Sequence, residues 1–297
     1  RLTIQDAIDL SHPARGELDM PFLFEHIDAA YRFGRDARRL KEILTRWQVG
    51  MHGQGWLGVT FNNHDGSRVV SLFGNDTRLR EASARLFATL LLTLEGTPVL
   101  YQGEELGMVN TTYETLEEYD DVAALNYYRQ KVEEGADPRE VFEVVKVMSR
   151  DRARSPYQWS GAANAGFTTG KPWLGVNRNY REINLENEIN TPGSIFHYYR
   201  RLIALRKQTP ALVYGQFVPQ DVPEALFVYR RAGEDEVYQV VLNLSEDSVP
   251  YTCAGELVIG SDECPSAEHL SPYEARVYRL QSCQKPSSKA LISRREF

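Results

Sequence analysis

The string Asn62-Asn63-His64-Asp65 sets an imidazole and a carboxylate side by side, directly after the apolar run Leu57-Gly58-Val59-Thr60-Phe61. That pair of groups suits a sugar, because Asp accepts paired hydrogen bonds from adjacent hydroxyls and His donates one. A carboxylate beside a sugar ring also stabilises the positive charge of an oxocarbenium-like transition state. Asn and Asp equally favour the plain turn that ends a strand, so this string needs company before it means chemistry. Arg150 and Arg154 offer some, within Arg150-Asp151-Arg152-Ala153-Arg154-Ser155-Pro156-Tyr157-Gln158-Trp159. A guanidinium holds carboxylates and hydroxyls in fixed geometry, although either arginine alone reads as a solvated or salt-bridged surface group. Glu104 and Glu105, in Tyr101-Gln102-Gly103-Glu104-Glu105-Leu106-Gly107-Met108, are tempting as a catalytic carboxylate pair.

The elements that must position these groups come in two styles. In the first part, short apolar runs alternate with helical stretches: Phe22-Leu23-Phe24, a charged amphipathic helix over 27–44, the run 57–61, an apolar-faced helix over 79–94, and a third run over 98–101. Strand, helix, strand, helix, strand is the signature of parallel βαβ units. A parallel sheet of only three strands exposes an edge and half a core, so the pattern predicts the last part of a barrel with its earlier strands upstream. Active sites of such barrels are built where the strands end, which is where His64 and Asp65 fall. A polar, partly helical insertion follows over 109–180. An amphipathic helix over 194–208 comes next, with Ile195, Tyr198, Tyr199, Leu202, Ile203 and Leu205 near helical spacing. After Pro210 the chain turns to short alternating β-runs, ending in Ala275-Arg276-Val277-Tyr278-Arg279-Leu280.

Composition narrows the partners. Of 297 residues, 42% are hydrophobic and 25% charged, as in ordinary globular proteins. A formal net charge of −7 repels nucleic acid and anionic membrane surfaces alike, so neither is an expected partner. No apolar run reaches the roughly 20 residues of a membrane span. The start, Arg1-Leu2-Thr3-Ile4, has neither an initiating Met nor a signal layout, and the chain is expected to begin inside something larger. Cys253, Cys264 and Cys283 fit no zinc or redox spacing. They read as reduced thiols of a cytoplasmic protein, a Cys253–Cys264 bridge being the alternative if the protein is secreted.

Four strings, in this order and spacing, resemble family 13 of the glycoside hydrolases, the α-amylase family. They are Asn62 to Asp65, Tyr101 to Met108, Arg150 to Trp159, and Ala165-Gly166-Phe167-Thr168-Thr169-Gly170 before Pro172-Trp173. The nearest branch holds the oligo-1,6-glucosidases, dextran glucosidases and α-glucosidases, and the likeness runs over about 19–280. It implies an α/β fold: the C-terminal part of a (β/α)8 TIM barrel with its last three strands over 1–108, the insertion and closing helix over 109–209, and an antiparallel β-sandwich domain over 210–281. The stretch 282–297 is expected to be a disordered or appended tail. By the same resemblance Asp65 is the third catalytic carboxylate, which stabilises the transition state. His64 binds the same sugar ring, Arg150 recognises the 4-hydroxyl of a non-reducing-end glucose, and Arg154 lines the pocket. Glu104 and Glu105 become structural, Trp159 and Trp173 read as packing residues rather than sugar platforms, and Glu25-His26 matches a string near the pocket rim.

The resemblance also implies what lies elsewhere. A retaining glycosidase needs a nucleophile and a general acid about 5–5.5 Å apart, and both fall upstream of Arg1, with the specificity residues and any structural calcium loop. No metal or other cofactor is expected in this chain. Gly66-Ser67, Leu72 and Ala123 depart from common family residues, and these departures leave the aglycone side open. The expected whole is a retaining α-glucosidase acting on α-1,6 or α-1,4 bonds of short gluco-oligosaccharides, with the missing N-terminal half as partner and this chain alone inactive. A sucrose isomerase or transglucosylase of the same family is the alternative, and a non-catalytic amylase-like scaffold subunit is a further one.

Overall fold

The computed structural model describes residues 2–15 and 17–281; the expected tail over 282–297, with Cys283, lies outside the described residues. Helix α1 (Ile4–Ser11) leads to β1 (Phe22–Leu23), α2 (Glu25–Phe33), α3 (Ala37–Met51) and β2 (Gly58–Val59). Then come α4 (Val69–Phe73), α5 (Arg80–Thr93) and β3 (Thr97–Pro98). Strands β1, β2 and β3 pair in parallel, with Leu23 opposite Val59 and Val59 opposite Pro98. The paired segments are two residues each, shorter than the apolar runs. Sequence reading misplaces one helix. The expected single helix over 27–44 is two, because Gly34 takes φ +78 at the end of α2 and Asp36 caps α3 by accepting from Arg39 N at 3.1 Å. A left-handed Gly followed by an Asp N-cap is a stop and a restart.

The insertion carries α6 (Val122–Glu133), α7 (Pro138–Met148), α8 (Asp151–Arg154) and α9 (Leu185–Asn190). Helix α10 (Ile195–Gln208) is capped by the Ser194 side chain and buries Ile195, Tyr198, Tyr199 and Leu202. A short α11 (Pro210–Tyr214) precedes β4 (Gln216–Pro219), β5 (Leu226–Ala232) and β6 (Val237–Asn243). The chain ends in β7 (Val249–Pro250), β8 (Glu256–Gly260), β9 (His269–Leu270) and β10 (Ala275–Leu280). An antiparallel sheet runs in the order β4-β5-β6-β10-β8, while β7 and β9 form a separate ribbon. Alternation along the strands divides the sheet's faces. Phe227, Tyr229, Val240, Leu242 and Val277 join the same apolar cluster as Leu44, Trp47, Phe87 and Leu90 from the helical part. Leu226, Val228, Val241 and Tyr278 pack against Leu270 of the ribbon. Among the described residues the helices cover one face of this sheet and the ribbon packs on the other.

Two buried arginines rivet the junction. Arg206 donates to Leu92 O and Leu94 O at 2.9 Å each and to Gly96 O at 2.6 Å, while Arg231 donates to Gly215 O at 2.8 Å and to Thr93 O. Of these carbonyls, Leu92, Thr93 and Leu94 are at the C-terminal end of α5, where positive charge is also favoured by the helix dipole.

Candidate active site

The residue after β2, Thr60, starts the turn that carries His64 and Asp65. Its carbonyl accepts from His26 Nε2 at 2.9 Å, and its hydroxyl donates to Asn62 O at 2.7 Å. His26 is buried rather than on a rim, against Phe61 and Phe73, and its Nδ1 has no hydrogen-bond partner. Burial pulls this imidazole down to about 4, so it stays neutral. Asn62 is buried too. With its amide turned so that the oxygen accepts from Val69 N at 3.0 Å, its nitrogen donates to Glu104. Asn63 then closes the turn, its Oδ1 accepting from Asp65 N at 2.7 Å. The side chains of His64 and Asp65 are left exposed.

The four expected site residues converge. Arg154 Nη2 donates to Asp65 Oδ1 at 2.7 Å, and its Nε donates to the His64 carbonyl at 2.7 Å. Arg150 Nη1 stands 3.7 Å from Asp65 Oδ1, and His64 Nε2 lies 3.4 Å from Asp65 Oδ2. Arg68, fully buried, holds the loops together by donating to Gln102 O at 2.7 Å and to Ala153 O at 3.1 Å. Two acidic residues that sequence reasoning missed brace this cluster. Asp121 grips Arg150 with both oxygens, accepting from Nη2 at 2.6 Å and from Nε at 3.0 Å. Those bonds hold the Asp121 carboxyl well below the usual carboxylate range. Asp151, completely buried, accepts from the backbone N–H groups of Asp120 at 2.7 Å and of Asp121 at 2.8 Å. The signal for Asp121 was its place just before an amphipathic helix, since it also caps α6 through Ala123 N at 3.1 Å.

The remaining candidates fall apart from this cluster. Glu104 is buried, where desolvation pushes it up to about 8. Glu105 accepts from Gly103 N at 2.9 Å and from the Tyr157 hydroxyl at 2.5 Å. Both carboxyl groups tie the loop after β3 to other segments, Glu105 to Tyr157 and Glu104 to Asn62 and Tyr199. The tryptophans depart from the packing expectation: Trp159 is 50% exposed and Trp173 is 65% exposed. Trp159 leans on Tyr157, centroids 4.6 Å apart, and the Trp173 indole N–H donates to Asp120 Oδ2 at 2.5 Å. Cys253 and Cys264 are both free thiols. Among the described residues, no group of His, Cys, Asp or Glu is placed to hold a metal ion, and no helix is long and apolar enough to cross a membrane.

What the cluster offers is two carboxylates, two guanidinium groups and an imidazole on one surface, with the charges of Arg150 and Arg154 balanced by Asp65 and Asp121. Such a site can hold a neutral polyhydroxyl ligand and stabilise a positive charge next to Asp65.

Comparison with known proteins finds relatives along nearly the whole chain. Residues 4–215 match the α-amylase catalytic domain. An oligo-1,6-glucosidase of Parageobacillus thermoglucosidasius is 41% identical over 303 residues, an alignment covering 94% of this chain and 54% of that enzyme. The crystal structure of Bacillus licheniformis trehalose-6-phosphate hydrolase superposes with a TM-score of 0.86 at 37% identity, covering 94% of this chain and 54% of that one. Isomaltulose synthase from Klebsiella sp. superposes with a TM-score of 0.85 at 35% identity, with the same coverages. The chain thus spans about half the length of the relatives it matches.

Proposed function

The chain belongs to the α-amylase family of glycoside hydrolases, and from that premise we propose that it is the C-terminal part of a retaining α-glucosidase. In the intact enzyme β1, β2 and β3 are the last strands of a (β/α)8 barrel, and an N-terminal half supplies the nucleophile and the general acid. The substrate is the non-reducing end of a short gluco-oligosaccharide, linked α-1,6 or α-1,4. The nucleophilic carboxylate displaces the aglycone to form a glycosyl-enzyme, and water then releases glucose with retained configuration. Asp65 grips the sugar hydroxyls and stabilises the oxocarbenium-like charge in both steps. His64 binds the same ring, Arg150 takes the terminal 4-hydroxyl, and Arg154 fixes Asp65. The reaction uses no cofactor.

The observation that carries this reading is the two-point hold of Arg154 on His64 O and Asp65 Oδ1, with Arg150 braced beside it by Asp121. The charge balance favours a neutral sugar over a phosphorylated one, because both guanidinium groups already face carboxylates. One experiment tests the division of labour. The isolated chain releases no p-nitrophenol from p-nitrophenyl α-glucoside, whereas the intact enzyme does; release by the chain alone would contradict the proposal.

The likeness to isomaltulose synthase supports a second reading, in which the same pocket isomerises sucrose. Product analysis on sucrose separates the two, since hydrolysis yields free glucose and fructose while isomerisation yields a rearranged disaccharide. A scaffold role without catalysis is disfavoured by the presence of Asp65, His64, Arg150 and Arg154 in one cluster.

A further inference from the structure

We propose that Glu104 is a positioning residue for Asp65: its buried carboxyl group fixes Asn62, and through Asn62 the turn that presents Asp65 to the sugar. The inference rests on the glucosidase reading and deepens it, adding a residue that acts through another.

The carboxyl group is placed entirely by its own chain. Glu104 opens a single turn of 3-10 helix, Glu104–Leu106, shortly after β3, and Gly103 before it takes φ +88, which glycine adopts without strain. Oε1 accepts from Tyr101 N at 3.2 Å, and Oε2 accepts from the Tyr199 hydroxyl of α10 at 3.3 Å. Glu104 is 4% exposed already in this chain. No partner of its carboxyl group has to come from an N-terminal half.

From there the contacts lead to Asp65. Glu104 Oε1 also accepts from the Asn62 amide nitrogen, while the amide oxygen takes Val69 N at 3.0 Å. Asn62 is buried as well, and its main-chain carbonyl accepts from the Thr60 hydroxyl at 2.7 Å. The next residue, Asn63, accepts from Asp65 N at 2.7 Å, so a tilt at Asn62 is carried into the turn that ends at Asp65. Arg154 orients the carboxylate at Oδ1. Glu104 sets the main chain from which that carboxylate departs.

The protonation state suits that task. Arg68 at the start of α4, Glu105 in the same loop and Tyr199 of α10 face this carboxyl group, and burial outweighs Arg68 and pushes it up to about 8. Near neutral pH it is therefore an uncharged acid. Oε1, which takes two N–H donors, is its carbonyl oxygen, and Oε2 carries the proton beside the Tyr199 hydroxyl. Glutamine copies this form, with one accepting oxygen and one donating nitrogen. The same burial keeps Glu104 from touching a sugar, so the acid–base role suggested by two adjacent carboxylates does not apply.

The test uses the intact enzyme on p-nitrophenyl α-glucoside, with Glu104→Leu, Glu104→Gln, Asn62→Ala and the double variant Glu104→Leu/Asn62→Ala, each verified as folded by circular dichroism. Glu104→Leu keeps the bulk and removes the acceptor. Its kcat is expected to fall about tenfold with KM within about threefold, because Asp65 is misplaced where the transition state needs it. Glu104→Gln should stay within about threefold of wild type in kcat. Asn62→Ala should resemble Glu104→Leu, and the double variant should be no worse than about the poorer single one, since both changes cut the same chain of contacts. Wild-type kcat in Glu104→Leu, equal losses in the Leu and Gln variants, or losses that multiply in the double variant would each overturn the positioning role. If Glu104→Leu does not fold, Asn62→Ala against Glu104→Gln carries the test, and unchanged kcat in Asn62→Ala overturns the proposal. Asp65→Asn separates this from the reading beneath it. Abolished turnover there leaves the glucosidase reading standing whatever Glu104 does, whereas persisting turnover overturns that reading and the positioning role with it.

Discussion

Arg154 holds His64 and Asp65 with one guanidinium, Nε to the His64 carbonyl and Nη2 to Asp65 Oδ1, both at 2.7 Å. Main chain and carboxylate are thereby fixed by a single planar group, which sets the direction in which Asp65 presents Oδ2. An exposed ion pair of this kind adds little stability, about 0–1 kcal/mol. Its consequence is for orientation.

Arg154→Lys keeps the charge and loses the fork. In the intact enzyme kcat/KM should fall by about 10- to 100-fold, a loss of positioning rather than of charge, while the circular dichroism spectrum stays unchanged. A variant within twofold of wild type would show that the two-point hold is dispensable.

Asp121 makes the complementary case in a buried setting. Asp121→Ala removes the partner of Arg150 and the N-cap of α6 together, and should cost about 2–4 kcal/mol in urea denaturation. KM should rise with it, because Arg150 loses its brace. Asp121→Asn retains the cap and should cost less. Equal stability of all three proteins would contradict the network drawn here.

His26 gives a pH dependence whose sign is fixed by its depressed titration. The unfolded imidazole gains its proton near pH 6.5, whereas the folded one waits until about 4. Stability from this residue is therefore complete above about pH 6.5 and is lost as pH falls toward 4. Between pH 7 and pH 5 the loss should be on the order of 2 kcal/mol. His26→Gln keeps a donor for Thr60 O and should lose correspondingly less over that interval, as read from urea midpoints. Parallel curves for the two proteins would refute the assignment.

Arg206 tests the junction between the helical part and the sheet. Arg206→Met fills the space but leaves the carbonyls of Leu92, Leu94 and Gly96 without their donor. A loss of about 2–4 kcal/mol is expected, and a change below about 0.5 kcal/mol would show that those carbonyls find other partners.

Much of this was legible in the sequence, for identifiable reasons. The parallel order of β1, β2 and β3 followed from apolar runs separated by helical periodicity. His64 and Asp65 followed from polar residues placed at a strand's end. The arginines needed the longer pattern of motifs, since nothing in Arg150 or Arg154 alone separates a site residue from a surface one. Gly34 was readable as a helix stop, but the amphipathic pattern continues across it and masked the break. Asp121 was missed because a helix-capping role accounts for an Asp there without invoking Arg150, which is 29 residues away in sequence. Trp173 was assigned to packing because large apolar side chains are usually covered.

The central claim is that Asp65 is a catalytic carboxylate of a sugar site, and steady-state hydrolysis of isomaltose by Asp65→Asn in the intact enzyme tests it most directly. The substitution preserves size and keeps an oxygen for Arg154, so folding should be intact by circular dichroism. The account predicts a fall in kcat of about 10³-fold or more, because the developing positive charge loses its counter-charge. A folded Asp65→Asn enzyme whose kcat stays within about tenfold of wild type would contradict it.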